Sequence, residues 1–252
     1  MNLNESQMIA SEHFKNPMMV LAGPGSGKTT VITFRVKTLI EKYNVSPSKI
    51  LVITFTKSAA EEMKMRFENM SSVKQVKFCT FHAFFFRIIR SYYRFESANI
   101  LSPHEQTLIL QEIVNTLGIN EEGSKDFLDN VLLEISMLKN ELLDIQYYYS
   151  SVMGAQDFKR VFNAYEEKKR EYHKIDFDDM LKICFDLLSN ESEILEYWQK
   201  RYEFILIDEF QDINKAQYEC IKLLSQHRNL FVVGDDDQRC EVFLSEKLRL
   251  IG

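Results

Sequence analysis

Short apolar runs alternate with longer stretches of helical periodicity through the first part of the chain. Met18–Leu21, Ile50–Thr54 and Val76–Thr80 are compact apolar segments of strand length. Between and after them, Lys28–Tyr43, Ala59–Asn69 and His82–Phe95 carry apolar residues at helical spacing. Ser58-Ala59-Ala60-Glu61 predicts a capping box opening the second of these helices. Alternation of this kind predicts a parallel sheet with crossover helices.

From about Ser97 the pattern changes. Ser102-Pro103-His104-Glu105 reads as a cap, a proline at the first helical position and a box glutamate. Helical runs follow at Leu108–Leu117, Phe127–Leu138 and Phe158–Tyr172, with little strand signal among them. The alternation then resumes: Phe177–Leu188 and Ile194–Tyr202 are helical, Phe204–Ile207 is a buried strand, Ala216–Leu224 is helical and Leu230–Val233 is another buried strand. The expected architecture is an α/β core, residues 1–96 and 175–252, split by an all-helical insertion at 97–174.

Composition adds bounds. Apolar content of 45% suffices for a packed core, and eight glycines with four prolines argue against low complexity. The net charge of −6 argues against a broad basic surface, although a local groove can still be positive. The cysteines, Cys79, Cys184, Cys220 and Cys240, lack metal-ligand spacing, which points away from zinc or a disulfide framework and towards a reducing compartment. No basic-then-apolar leader opens the sequence, and no apolar run nears the ~20 residues a membrane span needs. A cytoplasmic protein with no membrane partner is expected.

The most informative segment is Ala22-Gly23-Pro24-Gly25-Ser26-Gly27-Lys28-Thr29-Thr30, between the first strand and the first long helix. That context suits a phosphate-binding loop: glycines let backbone N–H groups turn inward, and the helix N-terminus adds its positive dipole end. Lys28 would supply a point charge to the β/γ-phosphates, and Thr29 would offer its hydroxyl to Mg²⁺. Ala22 stands where the strict pattern has glycine. ATP with Mg²⁺ is the expected ligand.

Ile205-Leu206-Ile207-Asp208-Glu209-Phe210-Gln211-Asp212 places two acids at the end of an apolar strand. Beside a phosphate loop, Asp208 would hold Mg²⁺ and Glu209 would polarise the attacking water; alone, the pair reads equally as a solvated turn. The next strand ends Val233-Gly234-Asp235-Asp236-Asp237-Gln238. Gln238 is placed to hydrogen-bond a γ-phosphate and report its loss; calcium binding by the triple-acid turn is the alternative.

Together these residues resemble the N-terminal portion of a UvrD/Rep/PcrA-type superfamily 1 DNA helicase. Leu3-Asn4-Glu5-Ser6-Gln7 is similar to the family's Q motif, with Gln7 reading the adenine edge. Ala22 to Thr30 resembles motif I. Thr54-Phe55-Thr56-Lys57-Ser58-Ala59-Ala60-Glu61-Glu62-Met63 resembles motif Ia, with Lys57 in place of the usual asparagine. Thr80-Phe81-His82-Ala83 resembles motif Ib, and Asp176-Phe177-Asp178-Asp179-Met180-Leu181 the element that returns the chain to the core. Asp208-Glu209-Phe210-Gln211-Asp212 has the form of motif II, and Gly234-Asp235-Asp236-Asp237-Gln238 begins motif III. The segments occur in the family's order.

The resemblance implies a RecA-like lobe interrupted by a helical subdomain, and 3′-to-5′ helicase activity of the DNA repair or replication type. Phe55, Thr56, Thr80, Phe81 and His82 would line a single-stranded DNA track, hydroxyls and amides gripping phosphates and aromatic faces stacking on bases. Core packing is the plainer account of Phe81 and His82. Phe84-Phe85-Phe86 reads as a mostly buried helix with Arg87 and Arg90 at its edge. Lys159-Arg160 and Lys168-Lys169-Arg170 form a basic helix, which interleaving Glu166, Glu167 and Glu171 explain equally well as i,i+4 surface pairs. Contact with single/double-strand junctions is a family expectation.

Arg239-Cys240-Glu241-Val242-Phe243-Leu244 departs from the sequence that follows motif III in the family. The family's second RecA-like lobe, in cis or in trans, would supply arginines to the γ-phosphate and half the DNA track. This polypeptide alone is therefore expected to hydrolyse ATP slowly, if at all, and not to unwind DNA. A nucleotide-switched module that binds single-stranded DNA or a partner without motor activity is the competing function.

Overall fold

Parallel strands form where the short apolar runs lie. In the computed structural model, which describes residues 3–14, 16–119, 125–225 and 229–235, they are β1 (Met18–Leu21), β2 (Ile50–Thr54), β3 (Lys77–Thr80), β4 (Phe204–Ile207) and β5 (Asn229–Gly234). They pair in the order β1-β5-β4-β2-β3, every pairing parallel. The helices are α1 (Glu5–Glu12), α2 (Lys28–Glu41), α3 (Lys57–Met70), α4 (Phe81–Tyr92), α5 (Pro103–Thr116), α6 (Lys125–Asn140), α7 (Ala155–Glu171), α8 (Phe177–Asn190), α9 (Ser192–Arg201) and α10 (Lys215–Ser225). The α/β class with a parallel sheet is as the alternation predicts. Gln238 and the divergent segment from Arg239 onward lie outside the described residues.

The chain divides into two compact units: residues 1–84, 188–213 and 218–252, and residues 85–187 with 214–217. In the first, β2 and β4 are buried at every position, as strands covered on both faces must be. One face carries Ile50, Val52, Phe204, Leu206, Phe231 and Val233, packed with Val31, Ile32, Val36 and Leu39 of α2 and Met63 and Phe67 of α3. Leu51, Ile53, Ile205, Ile207, Leu230 and Val232 of the opposite face are buried too. Phe84 is buried in this unit edge-to-face with Trp198 and Tyr202.

Two local features differ from the sequence expectation. The helix after β2 begins at Lys57 and is capped by Thr56, whose side chain accepts the Ala59 N–H at 3.1 Å; Ser58 lies inside the first turn and opens no capping box. Extended backbone at Thr56 lets its hydroxyl reach the third amide. Helix α1 is additional. It is short and buries only Ala10 and Ser11, but Asn4 and Gln7 close a reciprocal capping box at its start. Its far end is held by Arg35, which is 1% exposed, lies over the Phe231 ring and donates to the carbonyls of Ala10 and His13. Burial lowers the Arg35 pKa to about 10, leaving the guanidinium charged at neutral pH.

The second unit is helical. Pro103 and the Ser102/Glu105 box open α5 as expected. Leu110, Val114, Val131, Ile135, Phe158, Val161 and Tyr165 of α5, α6 and α7 form its core. Ile100 and Ile175 pair in a parallel bridge, so the segment between them leaves and returns at adjacent points. Phe85 is buried, while Arg87 and Arg90 are exposed. The basic stretch of α7 is no free cationic face: Lys159 donates to the Gln146 carbonyl, Lys168 pairs with Glu112, and Lys169 is 2% exposed.

Lys169 and Lys139 share a buried cluster with Asp176, Asp179 and Glu166, each N···O distance being 2.6–2.9 Å. The three carboxylates lie within 4.8 Å of one another, as metal ligands would, yet the two ammonium groups already stand among them. Burial opposes ionisation of Asp176, but Lys139 and Lys169 outweigh it and hold its carboxyl well below the usual carboxylate range. Its stabilisation is therefore present above the unfolded pKa of about 4 and lost as pH falls through the lower folded value. Asp176→Asn should cost about 3 kcal/mol at pH 7, read from urea denaturation by circular dichroism, and should flatten the loss of stability below about pH 4. Equal stability of variant and wild type at pH 7 would show that the cluster contributes nothing.

Candidate functional site: a nucleotide cradle at the sheet's carboxyl edge

The strand order sets this site. Because β5 lies between β1 and β4, the loops after these strands open at neighbouring positions on the carboxyl edge, where parallel sheets hold ligands. Leu21 pairs with Gly234, and the Ala22 N–H donates to the Gly234 carbonyl at 3.1 Å. The loop Ala22-Gly23-Pro24-Gly25-Ser26-Gly27 then turns through left-handed backbone at Gly25 (φ 73°) and Gly27 (φ 85°). Lys28, Thr29 and Thr30 form the first turn of α2, whose N-cap, Gly27, makes no side-chain cap hydrogen bond. Amides at such an end are available to an anion.

Gln7 is bound into this loop. Its Nε2 donates to the Ser26 carbonyl at 2.8 Å, and its Oε1 accepts the Asn4 N–H at 3.0 Å. A Cβ on Gly27 would stand 2.9 Å from Gln7 Nε2. The Gln7 amide thus positions the loop in addition to any contact with a base.

Lys28 is 9% exposed. Its Nζ donates to the Ala22 carbonyl at 3.0 Å and pairs with Asp235 Oδ1 at 3.0 Å. Thr29 Oγ1 lies 3.4 Å from Asp208 Oδ2. Asp208 is 3% exposed, and its other oxygen, Oδ1, is buried without a hydrogen-bond partner. Burial, then the Glu209 carboxylate, push the Asp208 carboxyl up to about 6. A buried carboxylate with one orphan oxygen and the other near a threonine hydroxyl suits a hard divalent cation, so the residues present fit Mg²⁺.

Glu209 follows in left-handed backbone (φ 53°, ψ 44°). That conformation is uncommon for a residue with a Cβ and concentrates at functional sites. Gln211 Nε2 donates to Glu209 Oε2 at 2.8 Å, and Gln211 Oε1 accepts the Asp235 N–H at 3.0 Å. The sequence pattern gives neither Gln211 nor Asp235 a role of its own; their signal is their position within two acidic strand ends.

The other predicted residues gather at the ends of β2 and β3, which pair through Thr54 and Thr80. Thr56 and Thr80 hydroxyls accept the N–H groups of Ala59 and Ala83, which leaves each hydroxyl proton able to donate to a phosphate. The Phe55 and Phe81 rings are 5.3 Å apart at 59°. Phe81 is 1% exposed and Phe55 and His82 are half-buried, so Phe81 backs Phe55 and offers no open face.

A model of the UvrD/REP helicase N-terminal domain matches residues 3–243. The chain belongs to this family. The ATP-dependent DNA helicase PcrA of Staphylococcus epidermidis is 36% identical over 94% of the chain and 34% of the relative. PcrA of Staphylococcus aureus is 35% identical over 94% and 33%, and the "Probable DNA helicase II homolog" of Mycoplasma capricolum is 33% identical over 99% and 36%. The chain thus spans about a third of the length of these relatives. Its α/β unit is consistent with the RecA-like lobe of such helicases, and among the described residues no helix is long and apolar enough to cross a membrane.

The left-handed backbone at Gly27 strains any residue with a Cβ, and a methyl group there would push the Gln7 amide off the loop. Gly27→Ala should weaken binding of Mg²⁺ and a non-hydrolysable ATP analogue by roughly a hundredfold, about 3 kcal/mol, while circular dichroism stays unchanged. Unaltered affinity would show that the loop conformation does not matter to the ligand.

Proposed function

We propose that this chain is the ATP-binding lobe of an ATP-dependent DNA helicase that moves 3′ to 5′ on single-stranded DNA. The observation that carries the nucleotide site is the buried Asp208 carboxylate, one oxygen orphaned and the other near Thr29, at the strand end beside Lys28. The loop amides of Gly25 to Thr30 would cradle phosphate oxygens, and Lys28 would exchange Asp235 for the phosphates. Thr29 and Asp208 would hold Mg²⁺, which when bound supplies charge neutralisation at the β/γ-phosphates. Glu209, held by Gln211, would accept a proton from the attacking water. Gln238 is proposed as the γ-phosphate sensor on its place after β5.

Single-stranded DNA would run along the ends of β2 and β3, with Thr56 and Thr80 on phosphates, Phe55 and His82 against bases and Phe81 behind them. Helical packing makes the second unit a stable body that could meet a single/double-strand junction. A second RecA-like lobe, in cis or in trans, would supply the arginine that speeds phosphoryl transfer by three to five decades in comparable systems. The chain alone would then hydrolyse ATP slowly and would not unwind DNA. Cys79, Cys184 and Cys220, buried and in the thiol form, fit the reducing cytoplasm.

The test is ATP hydrolysis with and without single-stranded DNA, with Glu209→Gln as control. Expected is slow turnover raised by DNA and lowered about a hundredfold or more in the variant, with no unwinding of a tailed duplex. Turnover unchanged in Glu209→Gln, or unwinding by substoichiometric protein, would contradict the proposal.

A further inference from the structure

Glu209 and Lys28 are joined by a continuous chain of polar contacts. Lys28 Nζ holds Asp235 Oδ1 at 3.0 Å. The Asp235 N–H donates to Gln211 Oε1 at 3.0 Å, and Gln211 Nε2 donates to Glu209 Oε2 at 2.8 Å. Gln211 Nε2 also lies 3.4 Å from Asp212 Oδ2. One planar amide therefore ties the turn after β4 to the end of β5. The backbone leaves room for it: a Cβ on Gly234 would stand 3.0 Å from Gln211 Oε1 and 3.6 Å from its backbone nitrogen.

We propose that Gln211 is a positioning residue that couples phosphate occupancy at Lys28 to the aim of the Glu209 carboxylate; this rests on the nucleotide site proposed above. A triphosphate brings more negative charge to Lys28 than one carboxylate does, so the ammonium transfers to phosphate. Asp235 then faces an anion in place of a cation and is displaced. Because the Asp235 N–H is bonded to Gln211 Oε1, the displacement turns the amide, and its Nε2 end carries the Glu209 carboxylate with it. The Glu209 backbone is held as the N-cap of the short turn Phe210–Asp212, while the Gln211 amide holds its carboxylate, so this side-chain bond sets the direction of the carboxylate.

Two variants separate the bonds from the packing. Gln211→Met keeps the volume and removes both hydrogen bonds; Gly234→Ala keeps the amide and crowds it. Each should lower kcat for DNA-stimulated ATP hydrolysis about ten- to hundredfold, while KM and the affinity for a non-hydrolysable ATP analogue with Mg²⁺ stay within about twofold. In ¹⁵N-glutamine-labelled protein, the Gln211 Nε2 resonance, assigned by its loss in Gln211→Met, should shift when the analogue binds. It should not shift in Asp235→Ala at saturating analogue. An unchanged kcat in Gln211→Met, or a Gln211 resonance indifferent to bound analogue, overturns the coupling. Should the wild-type chain bind the analogue but show no turnover, the hydrolysis reading fails and the resonance alone decides the coupling. Absence of analogue binding would overturn both.

Discussion

The nucleotide site proposed for this chain depends on parallel pairing of β5 with β1 on one side and β4 on the other. The β4–β5 pairing is built from buried apolar residues of both strands, whose burial on both faces fixes register as well as attraction, while β1 adds a half-buried edge to β5. Register matters because Leu21 opposite Gly234 and Ile207 opposite Val232 set where each strand ends. At those ends the glycine loop, Asp235 and Asp208 project at one edge of the sheet. A slip of one residue would turn the core side chains of a strand to the wrong face and move its terminal acid out of reach.

The site built there is polar in a way the fold itself does not need. Asp208 is buried with an orphan oxygen, Glu209 sits in left-handed backbone, and Lys28 is nearly buried between the Ala22 carbonyl and the Asp235 carboxylate. The first two features cost stability in the absence of a ligand. A divalent cation would relieve the orphan oxygen, which links binding energy to a prearranged geometry. The cluster of Lys139, Lys169, Glu166, Asp176 and Asp179 is the instructive contrast. It has the carboxylate spacing of a metal site, but its charges are answered from within, so it holds the helical unit together and leaves nothing for a cation to do.

Features that chemistry confines to particular residues at fixed spacing were legible in the sequence. The glycine loop before Lys28 and Thr29 admits few other readings, and β2, β4 and β5 are legible because burial on both faces makes them short unbroken apolar runs. Helix α1 was not legible, since it buries little and its signal is a capping box between Asn4 and Gln7. The cap of α3 is Thr56 and not the expected Ser58, because a four-residue pattern cannot show which hydroxyl precedes the first helical turn; the extended backbone at Thr56 decides it. Lys169 looked like part of a surface charge run, and only the fold brings it to Asp176 and Asp179. Partnerships across distant segments, such as Lys28 with Asp235, leave no local trace.

Titration calorimetry with a non-hydrolysable ATP analogue tests the central claim most directly. The account predicts one site per chain, binding that requires Mg²⁺, and loss of that binding in Lys28→Ala. Binding of equal strength without Mg²⁺, or in Lys28→Ala, would contradict a nucleotide cradle assembled at the ends of β1, β5 and β4.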